Sequence, residues 1–556
     1  MAITRITIEN FKGIADRVEV DLKPITVLFG ANSAGKSTLL QAMLYLRELL
    51  ERRNADADQL QASGSSIDLG GFQQLVHGHD KEGREVKIGV TVEVSDDGLP
   101  VIPVMDYRSD LADVNARSLI DNGLPGIKTV TVEVTVGWDF NEKRPLIRKY
   151  SVSLNGQDFV ELIAESSQQA YLHHCRPTHR LLQSAFAEGG SNPYESTEIQ
   201  LLYRYLERKC LIANKPEGFL LFKVPINSRS AIPNWQQPLL PAEETIDIRA
   251  SAWDDEAKDA YKDYAWSQFI LSHLAVGAGQ AVLDELKKVC YIGPLRAIPK
   301  RNFSSLRSPR EDRWADGMAA WDKLYHSATI PDGNGLVLAT SEWLSDRLDL
   351  GYSLLSRKSY EVDEDSLALL TLERLSETAI DEDIEERLKA VLSEIYSSPL
   401  RASLSLYDAR TGSTVAPCDI GVGVSQVIPV VVGSMVGDGN TICIEQPELH
   451  LHPAVQSRLG DLFIHSAITE DNKRFILESH SEHLMLRLLR RIRETTEEGE
   501  ADVDYLGAVK PEHISVYYVN AGEHKTEMIP LRISEDGDFL DRWPNGFFEE
   551  RESELF

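Results

Sequence analysis

The residues with the clearest chemistry form a glycine-rich segment near the start of the chain. Gly30 and, five residues later, Gly35-Lys36-Ser37 have the G-x-x-x-x-G-K-[ST] spacing of a P-loop. The backbone N–H groups of such a loop and of the helix after it bind phosphate oxygens, and the lysine adds a positive charge. We therefore predict that the chain binds a nucleoside triphosphate. The residues expected to contact it are Gly30, Asn32, Ser33, Ala34, Gly35, Lys36, Ser37 and Thr38.

A magnesium site is predicted from two distant parts of the chain. The Ser37 hydroxyl occupies the P-loop position that ligates Mg²⁺. Glu445 ends a short apolar strand, 441–444, and ligands of parallel α/β sheets bind outside the carboxyl ends of the strands. His480 follows another apolar strand, 474–477, from which it could reach the γ-phosphate. Ser37 and Glu445 are thus expected metal ligands, and Glu445 and His480 expected catalytic residues.

The elements that must position these residues are strands at both ends of the chain. Residues 25–29 are apolar and β-branched and lead into the loop, and an apolar helix pattern follows it. Three segments, 86–94, 129–136 and 150–154, alternate apolar and polar residues, and Asn155-Gly156 is a strong hairpin signal. They predict a mostly antiparallel layer. The expected domains are 1–158, with the P-loop and this layer; 159–402, a mainly helical insertion; and 403–556, the second part of the nucleotide-binding unit.

Composition restricts the classes of function. The chain has 556 residues, which predicts more than one domain or large insertions. Its formal charge of −29 makes it unfavourable for the protein surface as a whole to bind nucleic acid. Five scattered cysteines favour a reducing compartment. Neither a long apolar run nor a signal-peptide pattern is seen, so we expect a cytoplasmic protein without membrane contact.

Four segments carry a resemblance to a known group of proteins. GANSAGKST, DIGVGVSQ, ICIEQPELHLHP and ILESHS resemble the ABC-type ATPase heads of the OLD and SMC-like (AAA15-like) families, over roughly the first 150 and last 150 residues. The resemblance implies an α/β fold, an ABC-type P-loop ATPase head, to which the residue pattern adds an antiparallel β layer and a large mainly helical insertion. It implies ATP and Mg²⁺ as cofactors. It also implies a homodimer or higher oligomer in which ATP lies between the P-loop of one head and the signature segment of another.

The signature segment of this chain is identified, through the resemblance, as Asp419–Gln426. It departs from the transporter sequence LSGGQ. Its glycines would let the backbone approach a phosphate closely, whereas an ordinary strand-to-helix turn is the simpler alternative. The expected nucleotide contacts are Gly421, Gly423, Ser425 and Gln426.

Gln446 is the sharpest departure from the family pattern. Two acids normally precede the proline, and the second polarises the attacking water; here Glu445 is followed by Gln446. A glutamine can orient a water but cannot accept its proton. Either Glu448 replaces the missing base, or hydrolysis is slow and the ATP-bound state is long-lived, which we favour. Glu448 has the alternative of an acid at a helix N-terminus after Pro447.

Other residue clusters have simpler explanations than function. His450 and His452 suggest a metal, yet the resemblance places them in a loop facing the opposing head. A zinc site at His173, His174, Cys175 and His179 would lack a second ligand pair. Gln73 and Gln74 are weak candidates for a loop that senses Mg²⁺.

Two surface features could contact partners. A basic strip comprises Arg296, Lys300, Arg301, Arg307, Arg310 and Arg313. It could bind nucleic acid, although a solvated loop with ion pairs to Glu311 and Asp312 is the simpler interpretation. The aromatic segment of residues 541–550 is expected to pack on the chain itself, because an exposed aromatic tail favours aggregation.

The resemblance also leads to an expected function. Fewer than eighty residues follow His480, so no Toprim nuclease domain is expected, and Asp502-Val503-Asp504 lies in an acidic loop. Stand-alone ATPases of this kind resemble those of prokaryotic anti-phage systems, which hold a separate effector, a nuclease or toxin. We expect a slow ATPase that gates such an effector. The alternatives are a DNA-binding repair ATPase and, as a poorer fit, a transporter subunit.

Overall fold

The computed structural model describes most of the chain, in several ranges. They are 1–55, 69–100, 102, 127–164, 170–175, 222–224, 230–235, 237–241, 267–301, 303, 311–330, 334–360, 362, 366, 384–398, 400–436, 441–469, 473–498 and 506–544. Within these ranges the strands are β1 (Ala2–Glu9), β2 (Val18–Asp21), β3 (Ile25–Phe29), β4 (Val86–Glu93), β5 (Thr129–Asp139), β6 (Arg144–Leu154), β7 (Gln157–Ala164), β8 (Ala170–Cys175), β9 (Phe222–Lys223), β10 (Leu240–Pro241), β11 (Cys290–Ile292), β12 (Tyr352–Tyr360), β13 (Leu400–Asp408), β14 (Ser413–Val415), β15 (Thr441–Glu445), β16 (Arg474–Ser479), β17 (Ile514–Ala521) and β18 (Thr526–Leu531). The helices are α1 (Ser37–Arg52), α2 (Phe72–Leu75), α3 (Ala278–Lys287), α4 (Met318–Thr329), α5 (Gly335–Glu342), α6 (Ile384–Ser397), α7 (Val422–Val436), α8 (Pro453–Ile464) and α9 (Glu482–Glu498).

A six-stranded sheet joins the two ends of the chain. Its strand order is β11-β15-β16-β3-β17-β18, and every neighbouring pair is parallel except the edge pair β17–β18. β3 and β15 are buried along their whole length, as their apolar residues require in a sheet covered on both faces. Because the strands are parallel, the carboxyl ends of β3, β15 and β16 lie at one edge of the sheet. The loops that the sequence predicts to bind nucleotide leave from that edge.

A second sheet has nine strands in the order β10-β9-β8-β7-β6-β5-β4-β1-β2, all antiparallel where they pair. The predicted antiparallel layer is therefore confirmed. Asn155 and Gly156 both have positive φ, 49° and 73°, and connect β6 to β7, as the hairpin signal predicted. One hydrophobic core lies between this sheet, α1, α3 and one face of the six-stranded sheet. A second core fills the other face, against α4, α7, α8 and α9.

The middle segment, predicted as a mainly helical insertion over residues 159–402, contains α3 to α6 in its described parts. The same described parts also contribute strands to all three sheets. β7 to β10 extend the antiparallel layer, β11 forms an edge of the six-stranded sheet, and β12 pairs with β13 in a three-stranded sheet with β14. These strands are short or lie between prolines and irregular stretches, so their alternation is hard to read from sequence. The domain boundaries themselves stay a prediction.

Helix ends follow local sequence. α1 begins at Ser37, directly after the P-loop, and ends where Arg53 takes a left-handed φ of 55°. In α8, His452 is the N-cap residue, Pro453 is at the first position, and the His452 ring accepts a hydrogen bond from the Ala454 N–H at 3.3 Å. Ser481 accepts the Leu484 N–H at 3.1 Å at the start of α9. In the described parts of the chain, no helix combines the length and apolar character needed to cross a membrane.

Candidate functional site

The P-loop is held against β17 at the end of β3. A Cβ atom on Gly30 would lie 2.3 Å from the carbonyl oxygen of Val519, so only glycine fits at the first position of the loop. Lys36 is buried, and its Nζ donates to the carbonyl oxygens of Gly30 at 3.2 Å and Ala31 at 2.8 Å. Burial lowers the pKa of Lys36, and the nearby carboxylates oppose that shift. The charge of the lysine thus lies inside the loop, where phosphate oxygens would bind.

Two carboxylates from neighbouring strands face the start of α1. Glu445 at the end of β15 and Glu478 near the end of β16 are directly paired in the parallel register. Both are buried. The Ser37 hydroxyl donates to Oε2 of Glu478 at 2.7 Å. Burial and the neighbouring Glu445 raise the pKa of Glu478 to about 7. Two buried acids next to the P-loop hydroxyl are the donor set that a divalent cation prefers.

β11 and the segment that follows it add two residues to this site, Tyr291 and Arg296. The Tyr291 hydroxyl donates to Oε1 of Glu445 at 2.7 Å. The Arg296 guanidinium, buried, donates from Nη2 to the carbonyl oxygens of Glu445 at 2.7 Å and Gln446 at 3.3 Å. Burial raises the pKa of Glu445, while hydrogen bonds from Tyr291 and Ser37 and the charge of Arg296 oppose the shift. The carboxyl ends of β3, β15 and β16 form the edge of the sheet where the expected catalytic residues lie, and we call it the catalytic edge. One side of this edge is therefore covered by a segment that was predicted to belong to the insertion.

Gln446 lies in a left-handed conformation with φ of 46°, which is uncommon for a residue with a side chain. Its N–H donates to the carbonyl oxygen of Glu478 at 2.8 Å, and its own carbonyl accepts from Arg296. The backbone of Gln446 is therefore held through both its N–H and its carbonyl group, and it carries a neutral side chain where a base was expected.

Glu448 is buried and faces the loop that follows β16. Its Oε1 accepts the N–H of His480 at 2.7 Å, while Oε2 has no hydrogen-bond partner of standard geometry in the described residues. Burial raises the pKa of Glu448; hydrogen bonds from the His480 backbone, its own backbone and the Ser479 hydroxyl oppose this shift. The alternative of an acid at a helix N-terminus is wrong, because Glu448 lies in a turn and α8 begins only at Pro453.

His480 reaches the P-loop, as its position after β16 predicted. Its ring is hydrogen-bonded to the backbone of Gly30, and the pKa of His480 is lowered by burial and by the charge of Lys36. These effects favour the neutral form of the ring, which lies near the lysine that would contact phosphate. The role of His480 in catalysis stays a prediction.

The signature segment is partly exposed and partly buried within its own chain. Gly421 and Val422 are exposed at the start of α7. A Cβ on Gly423 would lie 2.7 Å from the carbonyl oxygen of His450, so this glycine contacts the loop after β15. Ser425 and Gln426 are buried, and the Gln426 amide is bonded to the backbone of Arg296. Of the four residues expected to meet ATP on another head, only the two glycines are near the surface.

The prediction of a basic surface strip is wrong for its first residue, which is buried. Arg296 is only 4% exposed and serves the interior of the site. Arg313 pairs with Asp322, which is fully buried, and Arg301 pairs with Asp419 at 2.6 Å. Lys300 is exposed. Arg307 and Arg310 lie outside the described residues.

The remaining predicted clusters are separate from this site. His450 and His452 are exposed, and the latter caps α8. His173, His174 and Cys175 lie on β8, whereas His179 is not among the described residues. Over the described ranges, no group of three or more His, Cys, Asp or Glu side chains is arranged to hold a metal ion. Gln73 and Gln74 are exposed on α2, and their sensing role stays a prediction.

Three residues of the site were missed or misassigned at the sequence level: Tyr291, Arg296 and Glu478. Glu478 stands within the segment ILESHS, and its position two residues before His480 at a strand end was the available signal. Tyr291 and Arg296 belong to YIGPLR, a segment without a recognisable pattern. Only the order of strands in the six-stranded sheet brings that segment next to Glu445.

Comparisons with protein-family models match three parts of the chain. Residues 1–174 match a model described as "AAA ATPase domain". Residues 349–486 match one described as "AAA domain, putative AbiEii toxin, Type IV TA system", and residues 509–556 match "Protein of unknown function (DUF3696)". The P-loop lies in the first match, and Glu445, Glu478 and His480 lie in the second. No curated protein matches the chain.

The solved structures to which the chain is similar include SMC head domains. The chain is 12% identical to an "SmcHead bound to the C-winged helix domain of ScpA", with 96% of this chain and 99% of that chain covered and a TM-score of 0.37. It is 12% identical to the Smc head with an extended coiled coil bound to the C-terminal domain of ScpA from Pyrococcus furiosus (96% and 96%, TM-score 0.36). It is 7% identical to the SMC head domain from Thermotoga maritima (96% and 100%, TM-score 0.34).

The P-loop site on a parallel sheet agrees with the two matched models, which show ATPase domains in residues 1–174 and 349–486. The fold is an α/β ATPase head with an added antiparallel sheet, as the sequence predicted. Such domains bind ATP with a divalent metal and, in general, hydrolyse it.

Proposed function

We propose that the protein is a slow, Mg²⁺-dependent ATPase that pairs head to head and gates a separate effector protein, a nuclease or toxin, in a prokaryotic anti-phage complex. The observation that carries the slow hydrolysis is the pair Glu445 and Gln446. The P-loop residues Lys36 and Ser37 are in place, whereas the position of the expected base is occupied by the neutral Gln446. The defence role follows from the sequence resemblance alone.

The residues present fit a nucleotide with its metal. Lys36 would exchange its bonds to two loop carbonyls for bonds to phosphate oxygens, which would also satisfy its charge. A bound Mg²⁺ would neutralise charge on the phosphates and hold them in line for attack. Ser37 and Glu445 would hold that ion, and Tyr291 would keep the Glu445 carboxylate oriented.

Gln446 would place a water but could not take its proton. The amide of glutamine has no basic form near neutral pH, so proton removal would need another group. Glu448 is the remaining candidate base: one of its oxygens accepts the His480 N–H, and the other has no hydrogen-bond partner of standard geometry in the described residues. Because the residue after Glu445 is neutral, we favour slow hydrolysis and infer that the ATP-bound state persists. A long-lived bound state suits a switch, since ATP occupancy can then bias a two-state assembly.

Turnover measurements test the slow-switch proposal. Wild-type protein should release phosphate slowly, and Lys36→Ala should lose ATP binding. Gln446→Glu should accelerate turnover on the order of tenfold or more, because it restores a carboxylate base. The matched control is Gln237→Glu, an exposed glutamine elsewhere in the chain, which should leave the rate unchanged. Fast wild-type turnover, or no gain in Gln446→Glu, would contradict the proposal.

Copurification after expression from the native operon tests the effector. A partner protein encoded by a neighbouring gene should be retained, and its retention should depend on ATP. Purification of the ATPase alone, with hydrolysis stimulated by duplex DNA in a salt-dependent way, would instead favour the DNA-binding ATPase.

A further inference from the structure

We propose that Glu478 is a metal-binding residue of the nucleotide site and forms, with Ser37 and Glu445, a seat of two carboxylates and one hydroxyl for the divalent cation. The inference deepens the proposed function and rests on it. Glu478 was not among the expected ligands, which were Ser37 and Glu445 only.

Strand register places the two carboxylates side by side. Glu445 and Glu478 are direct partners in the β15–β16 pair, and Glu478 is in turn paired with Leu28 of β3. Side chains of paired residues on adjacent strands share a face of the sheet. Leu28 belongs to the core that contains α1, so both acids face the N-terminus of that helix.

Contact with Ser37 fixes which part of that helix they meet. The Ser37 hydroxyl donates to Oε2 of Glu478 at 2.7 Å. This hydroxyl is the P-loop group that ligates Mg²⁺, so an oxygen hydrogen-bonded to it lies within the coordination region of the ion. Glu445 is oriented toward the same region by Tyr291, at 2.7 Å from its Oε1.

Burial makes the pair costly without a cation. Glu445 is 7% exposed and Glu478 5% exposed. Their side-chain oxygens accept hydrogen bonds from the Ser37 and Tyr291 hydroxyl groups, and the charges of Lys36 and Arg296 lie near them. Two adjacent buried carboxylates repel one another. A divalent cation between them would relieve this repulsion.

The protein groups alone do not complete a metal site. No cluster of three or more acidic, histidine or cysteine ligands exists among the residues that the structure describes. Mg²⁺ commonly binds one or two carboxylates and takes its remaining oxygens from phosphates and water. The seat should therefore hold its cation together with the nucleotide, and loss of Glu478 should appear as loss of metal-dependent nucleotide binding.

The experiment compares the affinity of a non-hydrolysable ATP analogue, AMPPNP, in Mg²⁺ and in EDTA, by isothermal titration calorimetry. Wild-type protein should bind much more tightly in Mg²⁺. Glu478→Gln should reduce the ratio of the two affinities by roughly tenfold or more. Binding in EDTA should stay equal or improve, because a negative charge near the phosphates is removed. Glu285→Gln is the control, since Glu285 is equally buried, at 5% exposure, and lies outside the site on α3.

Three results would overturn the inference. An unchanged ratio with a lower hydrolysis rate would make Glu478 the missing base. An unchanged ratio with a lower thermal unfolding midpoint would make it a structural residue. Equal loss of affinity in Mg²⁺ and EDTA would assign it to the loop conformation. If wild-type protein binds no AMPPNP at all, the proposed function fails and not only the role of Glu478.

Discussion

The Arg296 side chain joins three segments of the catalytic edge. Nη2 donates to the carbonyl oxygen of Glu445 at 2.7 Å, and Nη1 donates to that of Gln426 at 3.3 Å. The backbone N–H of Arg296 also donates to the Gln426 side chain at 3.1 Å. Burial lowers the pKa of Arg296 to about 10, so the cation is retained at neutral pH. The guanidinium thus links the start of α7 to the loop that carries Gln446.

Replacement of this cation should affect both stability and the site. Arg296→Met would leave several buried carbonyl oxygens without donors, and we expect a loss of about 2–4 kcal/mol in the free energy of unfolding. Arg296→Lys should recover only part of it, because an ammonium lacks the planar fork. Urea denaturation measures the free energy of unfolding of both variants. Arg301→Met is the control, since that exposed arginine pairs only at the surface, and little change is expected. An equal effect at both positions would contradict the structural role of Arg296.

Arg296 also shows what residue types cannot reveal. Its charge placed it in a basic strip, and the strip suggested nucleic acid. Whether an arginine faces solvent or buried carbonyls depends on which strand lies beside β11, and that is a property of the fold. Lys36 and Ser37 could be placed between β3 and α1 from sequence because that assignment depends only on neighbours within nine residues; their role in phosphate binding stays a prediction.

Among the elements, the pair α8 and α9 is held by charges as well as by apolar contacts. Asp461 on α8 is buried and accepts from Arg487 at 2.7 Å and from Arg491 at 2.8 Å, both on α9. α9 follows directly after the loop of His480. The ion pairs therefore fix the helix that starts beside the catalytic edge.

Asp461→Ala should destabilise the protein substantially, because it leaves the largely buried Arg487 without its carboxylate partner and Arg491 paired with Glu494 alone. We expect about 3 kcal/mol from the removal of one member of a buried ion pair. Asp541→Ala, which breaks the exposed pair with Arg532, should change stability little. Chemical denaturation with both variants is the measurement; comparable losses would show that the α8–α9 ion pairs add nothing beyond surface charge.

Elements with a strong local pattern were predicted well. β15 and β16 extend the predicted strands 441–444 and 474–477 by one or two residues, and β4 and β5 match alternating segments. β11 has only three residues, Cys290–Ile292, and no alternation is visible over so short a length. Its place at the sheet edge depends on pairing with β15, which is about 150 residues away. Such long-range pairing is not encoded in any short segment.

At the scale of the whole molecule, the last described residues return to the P-loop strand. The Trp543 ring lies 5.4 Å from that of Phe29, the residue before Gly30, and 5.9 Å from that of Tyr518. The prediction that the aromatic segment packs on its own chain is confirmed for Trp543; Phe547 and Phe548 lie outside the described residues. The last described residues therefore pack against β3 and β17 of the six-stranded sheet.

The proposed pairing of two heads leads to a prediction about the surface of the signature segment. Val422 is 50% exposed, and next to it a Cβ on Gly421 would meet nothing within 4 Å. A charge at Val422 is therefore tolerated by the folded monomer, but it would be buried without a partner if a second head covered this surface. Gly423 is unsuitable for the test, because any side chain there meets the His450 carbonyl.

Val422→Glu should bind AMPPNP with Mg²⁺ as a monomer, whereas wild-type protein should double its mass on binding. Light scattering after gel filtration, with and without nucleotide, separates the two states. Phe140→Glu is the control, an exposed apolar residue in the β5–β6 hairpin, and it should pair like wild type. If Val422→Glu still doubles its mass with nucleotide, the heads do not meet through the signature segment. In that case the two heads would pair through another surface, and each ATP would be held within one head.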